Sequence, residues 1–186
     1  RRPRPGFQPS IPAWYLSRML RLTMRQEIHC DPATFWQHFF DADLSRRLFI
    51  EGLEFHGYTT VRQQDTATTI ERTVAIEPKL TIPAPLAKVF GSSFRYTEEG
   101  AFDKASQVWR WRMISGTLPD KIRVTGTMRC VPIDANKVAR EVEIEIEAKV
   151  MLLGGMIEET FKKQLSAGWE RSAVVQNQWL REAAAT

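Results

Sequence analysis

The chain has 186 residues, 43% hydrophobic and 26% charged, which suits one globular domain with a substantial core and is short for two. Its net charge of +4 is unevenly placed: residues 1–25 hold Arg1, Arg2, Arg4, Arg18, Arg21 and Arg25 and no acid, leaving 20 basic against 22 acidic residues elsewhere. A basic arm on a near-neutral body differs from the folded basic face of a nucleic-acid-binding domain, so no nucleic-acid partner is expected.

No run approaches the roughly 18 apolar residues of a membrane span. The Arg/Pro start is followed by no apolar block of a secretory leader, and it opens without Met, as expected of a piece of something longer. Cys30 and Cys130 stand far apart without paired partners, so free thiols in the reducing cytoplasm are expected.

Residues 1–18, with Pro3, Pro5, Pro9 and Pro12, read as an extended basic arm or linker. Trp14, Tyr15 and Leu16 offer it a way to dock, either on the domain or on an acidic membrane surface. The domain itself is expected over residues 19–182. From Leu20, the residues Leu20, Leu22, Met24, Gln26 and Ile28 alternate with Arg21, Thr23, Arg25 and Glu27, the pattern of a half-buried strand.

Asp31-Pro32 is a helix start, with Phe35, Trp36, Phe39 and Phe40 as its apolar stripe. A second short helix is expected over Asp43 to Ile50, ending near Gly52. Six strands follow: Phe55–Gln63, Thr68–Glu77, Phe94–Lys104, Ser106–Ser115, Lys121–Pro132 and Val138–Met151. In the last of these Val142, Ile144, Ile146 and Ala148 alternate with a ladder of glutamates, as in a sheet covered on one side. From Gly154-Gly155 to Leu180 runs a long amphipathic helix whose apolar face passes through Ile157, Phe161, Leu165, Gly168, Ser172, Val175 and Trp179. Gly168 and Ser172 are small residues where a core-covering helix would carry large ones. A helix over a hollow can leave such gaps.

Strand, two short helices, six strands and one long helix define an α+β architecture: a seven-stranded antiparallel curved sheet around a long C-terminal helix. This order resembles the helix-grip fold of the START-like (SRPBCC) superfamily, which includes polyketide cyclases and lipid-transfer domains. The residues that carry the resemblance are Cys30-Asp31-Pro32-Ala33-Thr34-Phe35-Trp36 and Gly154-Gly155-Met156-Ile157-Glu158. Within the superfamily the chain is similar to uncharacterised bacterial START-like proteins. The resemblance covers roughly residues 19–182 and implies a cavity between sheet and helix that holds a hydrophobic ligand. Neither motif carries catalytic groups.

Strand parity predicts what faces that cavity: Val142, Ile144, Met128, Trp109, Trp111, Met113 and Tyr96 from the sheet, with Phe161, Leu165, Gly168 and Ser172 from the helix. Aromatic, Met and aliphatic lining suits a sterol or fatty acyl chain. Gln26 and Arg72 are the polar residues of matching parity. A buried Arg72 needs a partner: a ligand carboxylate or hydroxyl, or Glu54, Glu71 or Asp103 nearby, unless a β-bulge turns it outward. The apolar excursion from Thr81 to Gly91 is expected to act as a lid through Ile82, Leu86, Val89 and Phe90, over the cavity mouth or shallowly in a membrane. His29, His38 and His56 lack the neighbours of a nucleophilic or metal site, so no catalytic residue, metal or cofactor is expected. The expected function is binding, with transfer between membranes as its extension. A cyclase or aromatase using the same cavity is the alternative.

Overall fold

The computed structural model describes residues 19–91 and 94–184. The Pro-rich arm of residues 1–18 lies outside the described residues. β1 (Leu20–Ile28) leads into α1 (Pro32–Phe40) and α2 (Ala42–Arg47), followed by a π-helical turn at Leu48–Gly52. After β2 (Gly57–Asp65) and β3 (Thr69–Glu77) comes the short helix α3 (Ala84–Phe90). Then follow β4 (Tyr96–Asp103), β5 (Val108–Ser115), β6 (Ile122–Asp134), β7 (Lys137–Ala148) and α4 (Gly154–Ala184). The sheet is antiparallel and seven-stranded, in the order β1-β7-β6-β5-β4-β3-β2.

Local chemistry explains the element starts. Asp31 caps α1 by accepting from the Thr34 amide at 3.0 Å, and Pro32 stands at the first helical position, where no amide is needed. The hydrogen bonds from Thr34 hold the Asp31 carboxyl below the usual carboxylate range. Asp41 repeats the device for α2, accepting from Leu44 at 2.8 Å. The second helix therefore starts one residue before Asp43, and it gives way to a π-helical turn from Leu48. The last strand stops at Ala148, three residues short of the expected Met151, because residues 151–153 turn into α4.

Alternation along β7 buries Val142, Ile144 and Ile146 almost completely. Its outer face is a lattice of cross-strand ion pairs, with Glu141 meeting Arg25 at 3.5 Å and Arg129 at 2.9 Å, and Glu145 meeting Arg21 at 3.2 Å. Two of the six N-terminal arginines thus belong to the sheet rather than to an arm. Exposed pairs of this kind stabilise by about 0–1 kcal/mol each and chiefly keep the wet face soluble and in register.

α4 lies directly on β1 and β7, and α1 packs on β6. The backing of α4 against the π-helical turn depends on Gly52, where an added Cβ would come within 2.9 Å of Val175. Helix and sheet close together on the β1-β7-β6 side and leave a gap over β3, β4 and β5.

A candidate ligand-binding cavity

That gap is a cavity of about 370 Å³, walled by α4, the α1–β2 connection and the inner faces of β3, β4 and β5. The floor is made by Trp109, Trp111 and Met113 of β5. The two indoles seat close to the sheet because the strands beside them carry glycine. A Cβ on Gly100 would lie 2.0 Å from the Trp109 ring, and one on Gly126 would lie 2.4 Å from the Trp111 ring. Gly168 of α4 lines the opposite wall, with nothing within 4 Å of where its Cβ would be. Phe161, Leu165 and Ser172 line the same wall.

The polar groups are few. Arg72 is 6% exposed and lines the cavity. The one register shift in its hairpin falls between Thr60 and Arg62 of β2, so β3 runs regularly and Arg72 stays on the inner face. Its guanidinium carbon sits 4.2 Å from the centre of the Phe39 ring, 5.3 Å from Trp109 and 5.5 Å from Phe40. It donates to the Phe39 carbonyl, its Nε has no partner, and it makes no ion pair among the described residues. None of the three acids considered as partners serves it. Glu54 pairs with Lys79 and Arg171, Asp103 bonds Ser106, and Glu71 is exposed on the outer face.

Tyr96 and Glu98 of β4 line the cavity beside Arg72. Glu98 was not among the expected site residues, although it shares its parity with Tyr96 two positions earlier. Burial raises its carboxyl above the usual carboxylate range, with Arg72 opposing in part. Burial likewise raises the Tyr96 phenol, helped by Glu98 and Tyr58. A second missed residue is Arg140, which continues the inward parity of Val142 and is 2% exposed. It is held by Gln26 Oε1 at 3.2 Å, Gln176 Oε1 at 3.2 Å, the Trp169 carbonyl at 2.7 Å and Ser172 Oγ at 3.0 Å. Burial pushes the Arg140 guanidinium down to about 10, with Cys130 and Glu170 opposing.

Several expected site residues are placed elsewhere. Gln26 does not line the cavity; it accepts from Arg140 and donates to Glu170 at 2.7 Å, tying β1 to α4. Met128, Val142 and Ile144 have the inward parity but lie where the helices rest directly on the sheet, so they form solid core. The four residues expected to form a lid are not in the cavity lining either. Leu86 is fully buried, Phe90 packs against Phe94 and Phe161, and Ile82 and Val89 pack against the same core, so none of the four lines the cavity. Their apolar side chains gain more from the core than from an exposed mouth. The lining that sequence reading missed comes chiefly from the π-helical turn and its flanks, Leu48, Phe49 and Leu53.

Chemically, the cavity offers donors and apolar surface more than a reactive nucleophile. The Cys30 thiol in its wall is pushed up to about 11 by burial and by Asp31, which disfavours the thiolate. Among the described residues no cluster of His, Cys, Asp or Glu could hold a metal ion.

A seven-stranded antiparallel sheet gripping a long C-terminal helix around such a hollow is the helix-grip fold. The Zhui aromatase/cyclase from Streptomyces sp. R1128 shares it with a TM-score of 0.63 and 12% identity, over 89% of this chain and 98% of that one. Norcoclaurine synthase from Thalictrum flavum, in complex with dopamine and hydroxybenzaldehyde, gives 0.59 and 14%, over 97% and 98%. A START superfamily protein from Mycobacterium smegmatis gives 0.55 and 12%, over 88% and 98%. At such identities the likeness is one of fold. The chain belongs to the family described as "Protein of unknown function (DUF2505)", which matches residues 23–180. No curated protein sequence matches it.

Proposed function

We propose that this domain binds a hydrophobic small molecule in the cavity between α4 and β3–β5. The observation that carries the reading is the hollow itself: about 370 Å³ lined by Trp109, Trp111, Met113, Phe161 and Leu165 with a few convergent polar groups. Ligand sites commonly span roughly 300–1,000 Å³ with this mixture of lining. The volume favours a compact sterol-like or single-chain acyl molecule over a two-chain lipid. Burial would supply affinity at about 25 cal/mol per Å² of apolar surface, and the polar groups would set orientation. Transfer of that ligand between membranes is an extension of the same reading. Native mass spectrometry of the purified protein, followed by lipid extraction, tests it. A stoichiometric hydrophobic companion is expected, and failure to take up any hydrophobic molecule after delipidation would sink the proposal.

One observation favours a second reading, an enzyme of the cyclase kind. Burial in the cavity raises the Glu98 carboxyl above the usual carboxylate range, the direction that suits a general acid. Loss of turnover in Glu98→Gln with ligand binding retained would move the assignment to that class.

A further inference from the structure

The charges that line the cavity do not balance. Arg47, Arg72 and Arg140 stand against one carboxyl, that of Glu98. Two of the three arginines are already satisfied. Arg47 pairs with Glu51 at 3.1 Å and lies over the Trp179 ring at 4.2 Å. Arg140 has its four hydrogen bonds to Gln26, Gln176, Trp169 and Ser172. Arg72 has one, to the Phe39 carbonyl, although a guanidinium carries five N–H donors. A cation that is 6% exposed and has no counterion is costly to keep.

The aromatic shell around Arg72 meets only part of that cost. Phe39, Phe40 and Trp109 offer the negative faces of their rings to the guanidinium. The N–H edge of the fork is what a planar carboxylate binds in bidentate fashion. On the sheet, Arg72 is opposite Gly100 of β4, and Glu98 stands one inward position away, so no side chain of β4 separates the two groups. Glu98 is beyond ion-pair distance from Arg72, so it does not close the guanidinium fork, and burial raises its carboxyl above the usual carboxylate range. Tyr96 adds a phenolic O–H.

We infer that the ligand is an amphipathic carboxylic acid whose carboxylate is held by Arg72, with its apolar body along Trp109, Met113, Phe161 and Gly168. This rests on the cavity reading above and names the chemical class it accepts. The unpartnered Nε–H of the fork and the Tyr96 hydroxyl can both donate, which matches an acceptor-only anion. An alcohol would bring an acceptor but no charge, and a doubly charged phosphate would need a second free cation that the lining lacks.

The test compares two probes with the same tail, decanoic acid and 1-decanol, titrated calorimetrically into the delipidated protein at neutral pH. The acid is expected to bind roughly ten- to a hundredfold more tightly, the scale of a charge-assisted hydrogen-bonded contact. Arg72→Gln is expected to abolish the difference between the probes, and Arg72→Lys, which keeps a cation without the fork, to retain part of it. Equal or tighter binding of the alcohol by the native protein would overturn the inference and leave the cavity reading standing. Binding of neither probe would overturn the inference, and only failure to take up any hydrophobic molecule would overturn the cavity reading with it. Full acid preference in a folded Arg72→Gln protein would also overturn it. Should that variant fail to fold, the comparison in the native protein decides alone.

Discussion

At the scale of single residues, Glu98 makes the cavity's chemistry measurable without a ligand. An ordinary glutamate titrates near ~4.3. In the fold, burial raises Glu98 above that, while Arg72 on β3 pulls the other way, and Glu98 in turn raises Tyr96 on β4. The folded chain therefore holds this proton more tightly than the unfolded chain. The favourable contribution is present below the unfolded pKa and is lost as pH rises from there towards the folded value. Glu98→Gln removes the titration and keeps the shape. Urea unfolding of the two proteins should give nearly equal stabilities at the acid end of that window. Towards neutral pH the variant should become progressively the more stable. A gap independent of pH would mean that Glu98 is solvated in the fold. Both Glu98 and Arg140 were legible in the sequence, since each extends an inward parity already recognised at Tyr96 and Val142. Parity traced through apolar residues alone stops at a charge, and so leaves both out.

At the scale of elements, α4 carries two different kinds of gap. Gly168 and Ser172 both read as small residues on an apolar stripe, yet they do different things. Gly168 faces open space, so Gly168→Leu should fold at least as well as the native protein, with up to about 1 kcal/mol of added helix propensity. Its side chain would occupy the cavity, so uptake of a hydrophobic probe should fall sharply. Ser172 instead accepts from Arg140 and donates to the Trp169 carbonyl at 2.7 Å, as part of the joint between α4 and the sheet. Arg140→Ala would remove four hydrogen bonds that tie β7 to β1 and α4, at a cost of about 3 kcal/mol or more. Hydrogen exchange should show α4 losing protection around residues 169–176 before the strands do. Sequence spacing alone could not separate the two gaps, because Arg140 lies about thirty residues before its helix partners. The same limit explains α3, whose apolar residues announce burial but not whether the burial is in a core or at a mouth.

At the scale of the whole molecule, alternation and capping made the fold legible, because a period of two and an Asp-Pro start act within a few residues of chain. Depth was not legible. Trp109 and Met128 share a face and are cross-strand neighbours, yet one lines the cavity and the other is solid core. What separates them is where α1 and α4 come to rest, which depends on contacts across most of the chain. This division into a packed half and a hollow half has a thermodynamic consequence. The β1-β7-β6 side needs no ligand, whereas the lining of the hollow forgoes dispersion contacts until something fills it. A molecule that binds only the folded chain stabilises it by about 2.7 kcal/mol at a hundredfold excess over Kd. For a domain of this size that is a rise in Tm of roughly 5–10 °C. Delipidated protein should therefore melt lower than protein reloaded with a bound hydrophobic acid, and the shift should grow with ligand concentration. Gly168→Leu, with the hollow already occupied by its own side chain, should melt at one temperature whether or not the acid is present. A ligand shift of full size in that variant would place the binding site somewhere other than between α4 and β5.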